Sequence, residues 1–253
     1  MHPRDRYITL FGRKPVYEAL MDSELVFGRL LIARSAKGPL VQKIEKAARR
    51  REVSVERCDA KYVNRISKNG RQDQGVALDV IAPLMSPLGD WLDTKKTEDR
   101  CALVLLDRLS TPGNVGLIIR SAAAFGMSGV ILPRKGCPPV SPLVVKASAG
   151  TAFRVPILKT ESTETALQTL QQAGFDILGL DASGDSIFQP TKYGHRTAWV
   201  LGNESDGLSK SSHDYASHLI SIPMTNGVES LNVACAASVV FGELMRRRNT
   251  AVI

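Results

Sequence analysis

The 253-residue chain predicts an α/β protein in two parts, and three observations carry that expectation. Strand-like and helix-like segments alternate along nearly the whole length. From residue 101 onward the strand candidates are almost continuously apolar, as expected of strands buried on both faces of a parallel sheet. Between the halves, "APLMSPLGDWLDTKKTEDR" (82–100) mixes proline, glycine and charge with little periodicity and reads as a linker. The expected organisation is a small α/β unit over 1–81, a linker over 82–100 and a larger parallel-sheet domain over 101–253.

In the first unit the pattern predicts helices at "RKPVYEALMD", "LVQKIEKAARRRE" and "DAKYVNRIS", with strands at "RLLIAR", "VSVER" and "GVALDVI", giving a small three-layer domain. In the second it predicts strands at "CALVLLD", "SGVILP", "FRVPIL", "FDILGLD", "TAWVLG" and "HLISIPM". Helices are expected after Pro112, near "SPLVVKASAG", at "TETALQTLQQAG" and from about Ser230 to Arg248. Ligands of such sheets sit beyond the carboxyl ends of the strands.

Composition narrows the class. A 43% hydrophobic content supports a packed core, and no apolar run nears the roughly 18 residues of a membrane span. "MHPRDRYITL" is too polar for a secretory signal, so a soluble, cytoplasmic protein is expected, with no membrane partner. The four cysteines form no CxxC pair and the four histidines have no cysteine at ligand spacing; buried thiols, surface imidazoles and no metal are expected. A net charge of +8 and a pI near 9.5 point to a polyanionic partner, nucleic acid first. The cations gather in the first unit: Lys43, Lys46, Arg49, Arg50 and Arg51 on one helix, and Lys61, Arg65, Lys68 and Arg71 around "KNGRQDQG". A charge run is also what an ordinary solvated face looks like. Here Asn and Gln donors stand beside the cations, which suits phosphate and base contacts, and Lys43, Lys46, Arg49, Arg50, Lys68 and Arg71 are the candidate nucleic-acid-binding residues.

Three segments share one design, an apolar strand ending in a tight polar turn. In "LLDRLSTPGNVGLIIR", Pro112 and Gly113 turn the chain, Asn114 is the expected N-cap, and Arg120 falls in the second helical turn among small residues that leave room for a ligand. In "WVLGNESDGLS", Gly202 and Gly207 bracket Glu204 and let the backbone approach a ligand. In "ISIPMTNGVESLNVACAAS", Pro223 ends the strand, Asn226 and Gly227 turn the chain, and Ser230 opens a helix. Each segment alone is ordinary loop punctuation. All three at one sheet edge make a single site.

With "TPG" followed by N-x5-R, "LGNE-x-x-GL" and "IPM-x-x-G-x-x-SLNVA" in that order over residues 101–248, the chain resembles the SpoU family, RNA ribose 2′-O-methyltransferases of the SPOUT class. "VVKASAGTAFRVPI" is similar to the segment between that family's first and second motifs. Residues 1–81, with "QDQGVALDV", resemble the ribosomal-protein-like substrate-binding domain in front of many members. Thr111 stands where an aspartate is common and Asp73 where many relatives have histidine. The resemblance implies S-adenosylmethionine held in a deep trefoil knot by Gly202, Ile222, Met224 and Leu231. It implies methyl transfer by a site built from Arg120, Asn114, Glu204, Ser230 and Asn232, a homodimer with shared sites, and RNA as substrate. Members that modify guanosine in large-subunit ribosomal RNA are most similar; transfer RNA is the alternative target. A non-catalytic RNA-binding protein of the same fold would have lost the arginine or the Ser-Leu-Asn triplet, and both are present. A nucleotide-dependent α/β enzyme would need a Gly-rich phosphate loop, which "TPGNVG" is not.

Overall fold

The structure, a computed structural model, describes residues 7–67, 70, 72–82, 84–95, 100–190 and 193–250. Its contacts divide the chain into two units, Met1–Pro83 and Leu84–Ile253. Lys68 and Arg71 lie outside the described residues.

The first unit runs β1 (Tyr7–Phe11), α1 (Arg13–Met21), β2 (Val26–Ala33), α2 (Pro39–Arg50), β3 (Ser54–Cys58), α3 (Ala60–Ser67) and β4 (Val76–Ile81). Its sheet has the order β1-β4-β2-β3, with β1 and β2 antiparallel to β4 and β3 parallel to β2. The strand β1, "YITLF", was not expected from its polar surroundings, although it alternates half-buried and buried positions as a strand should. On α2 the buried residues Val41, Ile44, Ala47 and Ala48 recur at helical spacing, and Pro39 occupies the first helical position. Lys43, Lys46, Arg49 and Arg50 are exposed on its other faces. Arg51 departs from the expected basic run. It donates to the Asp22 and Leu25 carbonyls at 2.6 Å each and lies 5.0 Å over the Phe27 ring, so this cation anchors a loop.

The second unit runs β5 (Met85–Pro87), α4 (Leu88–Thr94), β6 (Cys101–Leu106), α5 (Pro112–Ala124), β7 (Gly129–Pro133), α6 (Pro142–Ala147), β8 (Ile157–Thr160), α7 (Thr163–Gln172), β9 (Asp176–Ser186), β10 (Arg196–Leu201), α8 (Lys210–Tyr215), β11 (His218–Ser221) and α9 (Val233–Thr250). The seven strands lie in the order β11-β9-β10-β6-β7-β8-β5 and every pairing is parallel, as the apolar runs predict. All of β6 is buried, as a strand covered on both faces must be. Leu103 and Leu105 from β6 share a core with Ala166, Leu167 and Leu170 of α7 and with Leu88 and Leu92 of α4.

Those last two residues correct the expected linker. Residues 85–94 form a strand and a helix of the second unit, β5 pairing with β8 at the edge of the sheet. A proline ends β5, and an edge strand is where proline is tolerated, so the composition disguised a sheet element as a connection. Proline likewise delays β8, which starts at Ile157 after Pro156, while Phe153 belongs to a short 3-10 turn. Among the described residues no helix is long and apolar enough to cross a membrane. The thiols are less buried than expected: Cys101 is buried, Cys58 and Cys137 partly, and Cys235 is exposed.

On α9, Glu243 is 7% exposed and accepts from Arg246 at 2.8 and 2.9 Å and from Arg247 at 2.8 Å. The Arg246 hydrogen bonds, opposed by burial and reinforced by Arg247, hold its carboxyl down to about 2. A carboxyl depressed on folding contributes stability above its ordinary value of 4.5 and loses it as pH falls through about 2. Glu243→Gln is therefore expected to melt below the wild type at neutral pH, with the gap closing across that window. A gap that stays constant down to the lower end contradicts the ion pair's role.

Candidate active site

Within the second unit, β6 and β10 are neighbours and end level, Leu106 opposite Leu201. The chain runs from β6 to β7 and β8 on one side and returns to β9 and β10 on the other, so the strand order reverses between β6 and β10. Crevices that take ligands form at such points. Three loops leave this edge: 107–111 after β6, 202–209 after β10 and 222–232 after β11.

A chain of side-chain hydrogen bonds ties the three loops together. Asn232 donates from Nδ2 to Asn114 Oδ1 at 3.2 Å, and Asn114 donates from Nδ2 to Glu204 Oε1 at 2.9 Å. At its far end Asn232 Oδ1 accepts from the Ala234 N–H at 2.9 Å, capping the start of α9. A backbone donor at one end and an acceptor-only carboxylate at the other fix the direction of both amides. Partial burial pulls the Glu204 carboxyl up, but the Asn114 amide and the Ser110 N–H outweigh it, and the group sits below the ordinary carboxylate range. Glu204 is thus an ionised anchor at neutral pH.

Local geometry corrects several expectations. Helix α5 starts at Pro112 with Thr111 at the N-cap, so Asn114 lies inside the first turn and Arg120 falls one turn later than predicted. The helix opened not at Ser230 but at Val233, with Asn232 as the capping side chain; Ser230 is exposed. At Gly202 the loop's own packing already demands glycine. A Cβ there would come within 2.3 Å of Gly207 C, because the loop folds back on itself through paired hydrogen bonds between Asn203 and Gly207. Asn226 and Gly227 both have positive φ, 57° and 72°, and the Val228 N–H closes the turn onto Thr225 O at 3.2 Å.

Arg120 stands apart. It is exposed and makes no hydrogen bond or ion pair among the described residues. Six residues beyond Asn114, it lies about 9 Å further along the helix axis and about 120° around it. Two of the small residues near it pack against other helices: a Cβ on Gly116 would come within 2.5 Å of Val144 O and Ala147 Cβ on α6, and Ser121 bonds to Ser238 of α9 at 2.8 Å. The structure therefore gathers Asn114, Glu204 and Asn232 and leaves Arg120 and Ser230 outside that cluster.

Sequence reasoning missed two residues. Asp107 is fully buried at the end of β6; one oxygen accepts from the Thr163 hydroxyl at 3.0 Å, the other from the Ser209 N–H at 2.6 Å and the Ser212 hydroxyl at 2.7 Å. It pins the starts of α7 and α8 to the sheet edge and so fixes the end of the 202–209 loop. Asn203 holds the same loop from above, donating to Arg108 O at 2.7 Å and accepting from the Ser205 N–H at 2.8 Å. Arg108 itself is held at φ 57°. Among the described residues no three His, Cys, Asp or Glu side chains converge on a metal-sized site.

Comparison with known proteins gives this arrangement its class. Residues 102–242 match the SpoU rRNA Methylase family, and residues 9–84 match the domain described as RNA 2'-O ribose methyltransferase substrate binding. A protein of Mycolicibacterium gilvum described as an uncharacterized tRNA/rRNA methyltransferase is 34% identical over 94% of this chain and 76% of its own length. The SpoU methyltransferase AviRb from Streptomyces viridochromogenes, solved in complex with the cofactor AdoMet, is 25% identical with a TM-score of 0.70, covering 97% of this chain and 91% of its own. An AdoMet-bound rRNA methyltransferase from Sinorhizobium meliloti is 28% identical with a TM-score of 0.66 over 97% and 88%. An α/β RNA methyltransferase is the class that the fold and these similarities define. The chain belongs to the SpoU rRNA methylase family.

Proposed function

We propose that this protein transfers the methyl group of S-adenosylmethionine to a ribose 2′-hydroxyl of structured RNA, ribosomal RNA in the first place. The observation that supports it most is the Asn232–Asn114–Glu204 hydrogen-bond chain, which ties the segments leaving one sheet edge into a single cluster, with the unengaged Arg120 further along α5. The residues present fit the cofactor. Ile222 and Met224 are only partly buried, and Leu231 is 39% exposed, so apolar surface lies open on the loop beyond β11 beside the tight Asn226–Gly227 turn. An adenine and a sulfonium both seek such dry, close contact with side chains and backbone. Bound there, S-adenosylmethionine supplies an electrophilic methyl group. The remaining chemistry falls to the chain: Asn114, Glu204 and Asn232 hold the loops in register, Ser230 meets the substrate from the exposed 222–232 loop, and Arg120 grips phosphate and ribose. A guanidinium stays protonated at neutral pH and is no base; it acts as a two-pronged donor to developing oxyanion charge. The exposed Lys43, Lys46, Arg49 and Arg50 of the first unit add phosphate attraction. The family's trefoil knot and a cytoplasmic location, where ribosomes are built, belong to the same reading.

The separation of Arg120 from the amide cluster favours a homodimer in which it serves the partner's site. The small residues Ala234, Ala236 and Ala237 are buried within the subunit and give no support. Support comes instead from exposed apolar side chains around the site, Leu117 (44%), Leu143 (57%) and Val228 (51%). Mixing an Arg120→Ala subunit with an Asn232→Ala subunit, each inactive alone, is expected to restore up to about a quarter of wild-type turnover, since a random mixture is half heterodimer with one intact site each. Transfer of labelled methyl to ribosomal and transfer RNA from cells lacking the protein reads the result. No recovery on mixing, or a fully active monomer by light scattering, contradicts shared sites.

A further inference from the structure

The first unit contains a cavity of about 650 Å³ at the end of the domain where all three helices begin, lined by Arg13, Ser35, Asn64, Asp73, Gln74 and Gly75 among others. Arg13 is fixed across it: its N–H donates to Gln74 Oε1 at 3.1 Å, its Nε to Gln74 O at 3.2 Å and its Nη1 to Lys37 O at 3.2 Å. Its Nη2 and the Gln74 Nε2 have no partner among the described residues. The carboxylate in the lining is already satisfied: Asp73, 2% exposed, accepts from the Ser67 hydroxyl and the Gly75 N–H at 2.8 Å each. The Asn64 amide, in the orientation that suits its neighbours, donates to Asp73 Oδ2 at 2.6 Å and to Ala60 O at 3.2 Å, which leaves its oxygen as an acceptor. The turn in the lining holds Gln74 in the left-handed region at φ 50°, followed by Gly75 at φ 74°, where a Cβ would come within 3.1 Å of both Ala33 and Ala36.

We propose that this cavity takes one unpaired nucleotide of the RNA substrate, its base entering against Arg13, Asn64 and Gln74. The inference rests on the RNA-methyltransferase reading and locates where the first unit reads its RNA. Three features select a base rather than phosphate alone. The free groups are a mixture of donors and an acceptor in amide geometry, which matches a base edge. The volume suits a nucleoside and is far larger than a phosphate needs. The pinned guanidinium offers a plane on which an unstacked base lies, and sequence-selective RNA recognition uses splayed-out bases in this way. Helices α1 and α2 start here with no acidic residue in the first turn and are capped by Gly12 and Gly38 without a side-chain bond, so their ends of the rim favour the nucleotide's phosphates, while the exposed Asp59 at the start of α3 keeps them to that side. Arg49 and Arg50, by contrast, sit at the far end of α2, about 16 Å away along its axis.

The test uses the full chain and labelled nine-nucleotide RNA strands of uridine, cytidine or adenosine, with an abasic strand of equal length as the phosphate-only probe. Wild type is expected to bind at least one base-bearing strand roughly tenfold or more above the abasic strand. Ser35→Trp, which fills the cavity from its exposed rim, is expected to reduce that binding to the abasic level. Ala60→Phe fills it independently should the first variant fold poorly, and Arg50→Ala should lower both kinds of strand by the same factor. Wild type that binds base-bearing and abasic strands alike, or filled variants that keep the full preference, overturns the proposal. Methyl transfer by wild type to RNA from cells lacking the protein is measured alongside: transfer without a base preference sinks the cavity alone, and a base preference without transfer sinks the methyltransferase reading alone.

Discussion

Arg120→Ala is expected to lower methyl transfer by about 10²–10³-fold or more, the range seen when a single donor to developing oxyanion charge is removed. Binding of S-adenosylmethionine, followed by calorimetry, should stay within about twofold, because the surface proposed for it lies on the loop beyond β11 while Arg120 stands on α5. Stability should be nearly unchanged, within about 0.5 kcal/mol, since the side chain is exposed and makes no hydrogen bond among the described residues. Arg120→Lys should fail almost as fully, because a point charge does not reproduce a planar fork gripping two oxygens. A lysine variant with near-normal turnover removes Arg120 from the mechanism.

The second large effect is on stability. Asp107→Ala leaves the Ser209 N–H and the Thr163 and Ser212 hydroxyls facing a void at the end of β6, and a loss of about 3 kcal/mol or more is expected. Asp107→Asn tells charge from shape. Its amide nitrogen has to avoid the Ser209 N–H, which only donates, and so must take the other position, facing Thr163, whose hydroxyl is free to rotate and accept, with the Arg108 guanidinium 3.6 Å away. That variant should lose only about 1–2 kcal/mol. Urea unfolding of the two variants checks both; equal losses would mean that the carboxylate's charge and acceptor capacity, and nothing of the shape that Asn retains, hold the edge together.

These cases show what a sequence discloses and what it withholds. The three loops were legible because each carries residues that a turn requires locally: Pro112 at a helix start, the Gly202–Gly207 pair, and Asn226–Gly227 at positive φ. The parallel sheet was legible because two-sided burial leaves runs such as "CALVLL" with no polar face. Asp107 was not, since its partners lie 56 to 105 positions away and a lone aspartate after an apolar strand looks like a strand end. The small residues of α5 were legible as a place of close approach, but spacing shows that a neighbour comes close without showing whether it is α6, α9 or a ligand. The strand β5 was hidden by its proline and by being only three residues long.

The account stands most directly on where the methyl group goes. Ribosomal and transfer RNA from cells lacking the protein, and from the same cells supplied with wild type or Arg120→Ala, are to be mapped at nucleotide resolution by resistance to alkaline hydrolysis, which a 2′-O-methyl group confers on its own linkage. The expected result is one resistant linkage, in ribosomal RNA, present with wild type and absent both without the protein and with Arg120→Ala. A methyl group that appears with wild type on a base, with every ribose linkage still cleavable, would contradict the account.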